Sequence, residues 1–154
     1  MTPIPKSAAQ LYEIDFVAWT EQTVQLIRAG EFEQVDWDAV IEEIENLGRS
    51  DRRELKSRLE ILLQHLLKLP YQSSLRSGSW QNTINEQRNR IIDLLQESPS
   101  LNSYPEEVLA QCYHRGLKAA SNETELPIDT FPVKCPYPIA QVLDAEFLPD
   151  AIDL

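Results

Sequence analysis

Four side chains in this sequence are of the types that hold metal ions or move protons: Glu43, His65, Arg88 and Glu123. Two carboxylates and an imidazole could ligate a divalent cation or act as general acid and base, and a guanidinium could stabilise developing negative charge. A bundle that gathered them would be a metal-dependent hydrolase or nuclease, with Glu43, His65 and Glu123 as its metal set. The same residues have a plainer use. A buried charge is costly unless paired, so Arg88 closing on Glu123 or Glu43, with His65 hydrogen-bonded at the edge of the core, would hold helices together. Missing partners favour this second use. Di-metal bundles place Glu-x-x-His on two helices, yet the residues three before His65 and His114 are Leu62 and Gln111. One imidazole suits magnesium or manganese better than zinc. No cofactor is expected.

Other chemistry is thinner. Cys112 lies on an apolar helical stripe, where a thiol is a core residue, whereas Cys135 stands between Lys134 and Pro136 in a stretch that is expected to anchor by packing. Four glycines supply none of the glycine-rich phosphate loops, and no GxSxG nucleophile turn is present. Ser73, Ser74, Arg76 and Ser77, just before Trp80, form the most anion-friendly loop of the chain.

Helices must position all of these groups. Asp15 caps a pattern through Phe16, Trp19, Thr23, Leu26 and Ile27 that should stop at Gly30, and Ser7 with Gln10 can cap a short turn before it. Asp36 caps a stripe of Trp37, Val40, Ile41, Ile44 and Leu47, read as core-facing and ending at Gly48, with Ser50 restarting or kinking the helix. Leu55, Leu59, Leu62, Leu63, Leu66, Leu67 and Leu69 form the central helix, closed by Pro70. Ser79 starts a helix carrying Trp80, Ile84, Ile91, Leu94 and Leu95. Ser103 and Glu106 form a capping box for a last long helix through Leu109, Cys112, Gly116 and Ala120. Five of the ten prolines follow Leu126, so residues 130–137 should be extended, with a short helix over 138–144. The expectation is an all-α protein: a single domain over 1–154, comprising an antiparallel bundle of four to five helices (7–126), an extended Pro-rich strap with a short helix (127–149) and a tail (150–154).

Several short blocks together resemble a known family. They are Asp15-Phe16 with Trp19, Asp36-Trp37 with Ile41-Glu42-Glu43-Ile44, His65-Leu66-Leu67-Lys68, Trp80 with Thr83-Ile84 and Gln87-Arg88, Ser98-Pro99-Ser100-Leu101, Glu123-Thr124, and Phe131-Pro132 with Cys135-Pro136-Tyr137. In order and spacing the set is similar to domain-of-unknown-function family 29, which is common in cyanobacterial genomes. The resemblance spans Tyr12 to Pro149. It implies a helical single-domain protein without an assigned activity, and it names no catalytic residue.

Charge narrows the partners. The 154 residues carry a formal net charge of −11, which repels phosphate backbones and anionic lipid. Residues 49–90 nevertheless hold nine basic groups against four acidic ones, so nucleic-acid binding through that segment is an alternative function. Pairing with the acidic helix before it, through Asp38, Glu42, Glu43 and Glu45, is the simpler use of those charges. No membrane-spanning run and no secretory leader are expected, and two cysteines suit a reducing cytoplasm. The sequence names no activity. It points to a small cytoplasmic protein–protein interaction or regulatory protein, with an unknown protein partner or self-association.

Overall fold

The computed structural model describes residues 8–72 and 78–150. Among them are six α-helices and no strand: α1 (Ala8–Ile14), α2 (Phe16–Arg28), α3 (Trp37–Tyr71), α4 (Gly78–Glu97), α5 (Tyr104–Thr124) and α6 (Ile139–Val142), with single 3₁₀ turns at Phe32–Gln34, Pro99–Leu101 and Ile128–Thr130. The all-α class is as expected. The chain divides into two compact units, Met1–Arg49 and Ser50–Leu154, and the division falls inside α3. Gly48 therefore does not end a helix. No residue near it takes a left-handed conformation, and 35 residues run as one helix. Gly30 does stop α2: at φ +74 it occupies the left-handed region, and its N–H closes back on Ile27 O.

In the first unit the two Asp caps form as read. Asp15 Oδ1 accepts from Ala18 N at 3.0 Å and Asp36 Oδ1 from Ala39 N at 3.2 Å. The core here is small. Trp19, Val35 and Ala39 are its buried apolar residues, and Trp19 meets Tyr12 edge-on at 4.8 Å and stacks on Phe16 at 5.7 Å between ring centroids. Ser7 lies outside the described residues.

The second unit holds the larger core. Side-chain contacts fix its topology: Glu54 meets Arg90 and Arg58 meets Gln87, so α4 runs antiparallel to α3, while Glu60 meets Arg115 and Gln64 meets Glu123, so α5 runs parallel to α3. Leu59, Leu62, Leu63, Leu66, Ile84, Ile91, Cys112 and Ala120 fill the space between, all at most 1% exposed. Pro70 sits one residue from the end of α3, so the helix closes at it as expected. The expected capping box of α5 is not formed. The Pro99–Leu101 turn leads straight in, Ser103 already has helical φ/ψ, and its hydroxyl donates to Glu107 Oε1 at 3.2 Å instead of capping the backbone.

One glycine decides how closely α3 and α5 approach. A Cβ on Gly116 would stand 3.1 Å from Glu60 O, 3.2 Å from Gln64 N and 3.2 Å from Leu63 Cβ. The first two are helix backbone, which cannot swing aside. Gly116→Ala gains about 1 kcal/mol of helix propensity but forces the helices apart, an overpacking cost of about 1–3 kcal/mol. We expect a net loss of about 1 kcal/mol in urea unfolding; an unchanged midpoint would show that the helices separate freely.

Beyond α5, residues 131–138 form neither helix nor strand. Phe131 is buried and meets Tyr71 edge-on at 4.8 Å, and the Tyr113 hydroxyl donates to Pro132 O. The short helix α6 is within the range expected for it.

Candidate functional site

The buried charge that organises the second unit is Lys68. Five consecutive residues, Leu66 to Pro70, are buried, so the end of α3 is enclosed on every side and carries Lys68 in with it. Its side chain is fully buried, its ammonium lies 2.8 Å from Glu123 Oε1, and it sits 4.4 Å from the centre of the Trp80 ring. Gln64 Nε2 donates to the other carboxylate oxygen at 2.5 Å. The carboxylate is half exposed. Hydrogen bonding from Lys68, ahead of its charge, holds the Glu123 carboxyl below the usual carboxylate range. Three of the blocks that carry the family resemblance, around Lys68, Trp80 and Glu123, thus meet at one point.

The four candidate site residues are placed as follows. Glu123 takes Lys68 as its cation, not Arg88. Arg88, 1% exposed, donates from Nε to Val142 O at 2.9 Å and from Nη2 to Gln141 O at 3.5 Å, so it fastens α6 to α4. Its cation is surrounded by carbonyls and feels Asp144; burial lowers its pKa. His65 donates from Nδ1 to Ile61 O at 2.8 Å, leaving Nε2 as the basic nitrogen, and burial pushes its pKa down. Glu43 belongs to the first unit, where the Tyr12 hydroxyl donates to its Oε1 at 2.5 Å and is itself pushed up to about 12 by that bond. Among the described residues no three His, Cys, Asp or Glu side chains gather closely enough to hold a metal ion. Glu43, His65 and Glu123 are not brought together as a metal set.

The thiols are quiet. Burial raises Cys112 to about 11, and Cys135, raised by burial as well, donates to Tyr137 O at 3.3 Å. Cys135, Lys134 and His114 line a shallow cavity of about 360 Å³, but neutral pH leaves the thiol protonated.

The basic segment is not one positive face. Lys68 and Arg88 are buried, Arg58 and Arg90 both hold Glu54 Oε1 at 2.9 Å, and Arg52 lies over the Tyr104 ring. Among the described residues Arg49 pairs with Glu45 at 3.7 Å, one turn earlier on α3. The Ser73–Ser77 loop with Arg76 lies outside the described residues.

The largest departure from the sequence reading is in the first unit. Trp37, Ile41, Ile44 and Leu47, spaced as a core stripe, are 43 to 69% exposed. Phe16, Val17 and Val24 of α2 are exposed too. Of the twelve large apolar side chains exposed among the described residues, nine lie before Arg49. Between α2 and α3 runs a groove of about 370 Å³, floored by Trp19, Thr23, Ile27, Val40, Ile44 and Leu47. Periodicity identifies an apolar face; it does not say what covers it.

A family model described as domain of unknown function DUF29 matches residues 11–148. The chain belongs to this family. The match takes in α2 to α6 and both features above, the Lys68 pair and the open groove, so both sit within the DUF29 region. No curated protein and no solved structure matches the chain. Among the described residues no helix is long and apolar enough to cross a membrane.

Proposed function

We propose that this DUF29 chain is a cytoplasmic protein-interaction module that works through the open apolar face of its first unit. One observation carries the reading: more large apolar side chains of that unit face solvent than are buried in it. Exposed apolar surface on this scale marks a contact surface in a folded protein. Two free thiols, one buried and one half-buried, support the cytoplasmic setting.

Site-directed photocrosslinking in living cells tests it. A benzophenone side chain at Ile44, on the groove, is expected to give an adduct with another polypeptide, while the same group at Lys118, exposed on α5 of the second unit, is not. Equal labelling from both positions, adducts within one chain alone, or no adduct at all would each defeat the reading.

A further inference from the structure

Resting on that reading, the structure assigns a chemistry to the partner: we infer that the α2/α3 groove receives an amphipathic helix whose polar face is basic. Two features carry this. The first is shape. The groove lies between two helices and is floored by side chains at i, i+4 and i+7 spacing on α3 (Val40, Ile44, Leu47), the arrangement that takes a third helix by its apolar stripe. α2 has 13 residues, so at about 1.5 Å per residue it offers about 20 Å of wall, enough for roughly four turns of a docked helix.

The second feature is charge. Residues 8–49 contain ten acidic side chains and two basic ones. One of those two, Arg49, is already engaged by Glu45 and Asn46. Glu43 is among the residues lining the groove, and Glu13, Glu21, Asp38, Glu42 and Glu45 are exposed elsewhere on α1, α2 and α3. Lys6 brings the whole unit to a net −7, so a second copy would set −7 against −7, and like charges repel as they approach. A basic helix gains from the same field. Its leucines would be covered by the floor while its lysines or arginines stand in the unit's negative field.

The test uses the full-length protein and three fluorescein-labelled helical peptides of about 14 residues, the length of the wall. They share one leucine stripe and differ in polar face: lysine, glutamine or glutamate. Binding is read by fluorescence polarisation at low and high salt. The lysine peptide is expected to bind at least ~10-fold more tightly than the glutamate peptide and to weaken as salt rises. Ile44→Asp with Leu47→Asp is the deciding variant, because it makes the surface more acidic while spoiling the floor. Loss of at least ~10-fold in affinity for the lysine peptide, with an unchanged melting curve, supports docking in the groove. Equal or tighter binding by that variant would mean mere charge attraction and overturns the inference. So would equal binding of the glutamate peptide, or a dimer in sedimentation that the same variant dissolves, which makes a second copy the occupant. A positive crosslink at Ile44 with no lysine-peptide binding defeats the basic-helix inference alone; no crosslink defeats the interaction reading beneath it.

Discussion

Glu123→Gln is expected to destabilise the protein by about 2–3 kcal/mol, far more than a half-exposed glutamate normally would. The reason lies in what it leaves behind. Lys68 is wholly enclosed, and its ammonium has Glu123 at 2.8 Å and the Trp80 ring at 4.4 Å. Removing one member of a buried ion pair strands the other charge, at a cost of about 3–5 kcal/mol when both are dry; water at the exposed carboxylate lowers the figure here. Lys68→Met tests the logic from the other side. It keeps an apolar stem against Trp80, and the released carboxylate simply hydrates, so it should cost about 1 kcal/mol or less. The double variant should then resemble Lys68→Met alone, giving a coupling of about 2 kcal/mol in urea unfolding. If Glu123→Gln costs no more than about 0.5 kcal/mol, the pair does not organise this end of the bundle.

The same pair sets part of the acid response. The folded-state pKa of Glu123 is depressed, so its contribution is present above the unfolded value near 4.3 and is lost as pH falls through the folded one. Glu54, held low by hydrogen bonds from Arg90 and Arg58, adds to that limb. His65 acts earlier. Burial depresses its pKa, so the unfolded chain binds the proton first and stability starts to fall below about pH 6.5. Glu123→Gln should flatten the limb below about pH 4.3 and leave the His65 portion in place.

Arg88→Ala is expected to cost about 3–4 kcal/mol. It deletes one of the two largest fully buried side chains, opening a cavity, and it orphans Val142 O, the acceptor at 2.9 Å. The damage should be directional. Amides of α6, and of Leu143 and Asp144 beyond it, should lose hydrogen-exchange protection before those of α3 and α5. Arg88→Lys recovers little, since a lysine lacks the planar fork that serves two carbonyls at once. A variant that melts like the parent with α6 still protected would refute the anchoring role.

The sequence made most of the helices legible because leucine spacing, Asp15, Asp36, Gly30 and Pro70 act locally. Gly48 misled for a physical reason. A glycine ends a helix only if the chain takes the left-handed turn there, and in mid-helix it costs merely about 1 kcal/mol, which neighbouring good helix formers offset. The site was less legible. Residue type singles out Glu43, His65, Arg88 and Glu123, but their partners depend on tertiary register: the pattern points Glu123 to Arg88, because Lys68 lies opposite the leucine stripe on a helical wheel. The signal was available in Leu66-Leu67-Lys68-Leu69-Pro70, where apolar neighbours on both sides leave a lysine nowhere to reach water. The exposed face of the first unit was read as core because hydrophobic spacing looks the same whether a stripe is covered or awaiting a cover.

The unbroken course of α3 through Gly48 carries one more consequence. From Val40 to Glu54 the helix has no fully buried side chain, so across that span it is held by its own ladder and a few half-exposed contacts, Glu43 with Tyr12, Arg52 with Tyr104 and Glu54 with Arg90. Proteases need their substrate drawn out as an extended strand, and helices ordinarily resist them because opening one also tears it from a core. Here little core is torn. Among the described residues, Arg49, Arg52 and Arg53 are therefore exposed cleavage sites inside the longest helix.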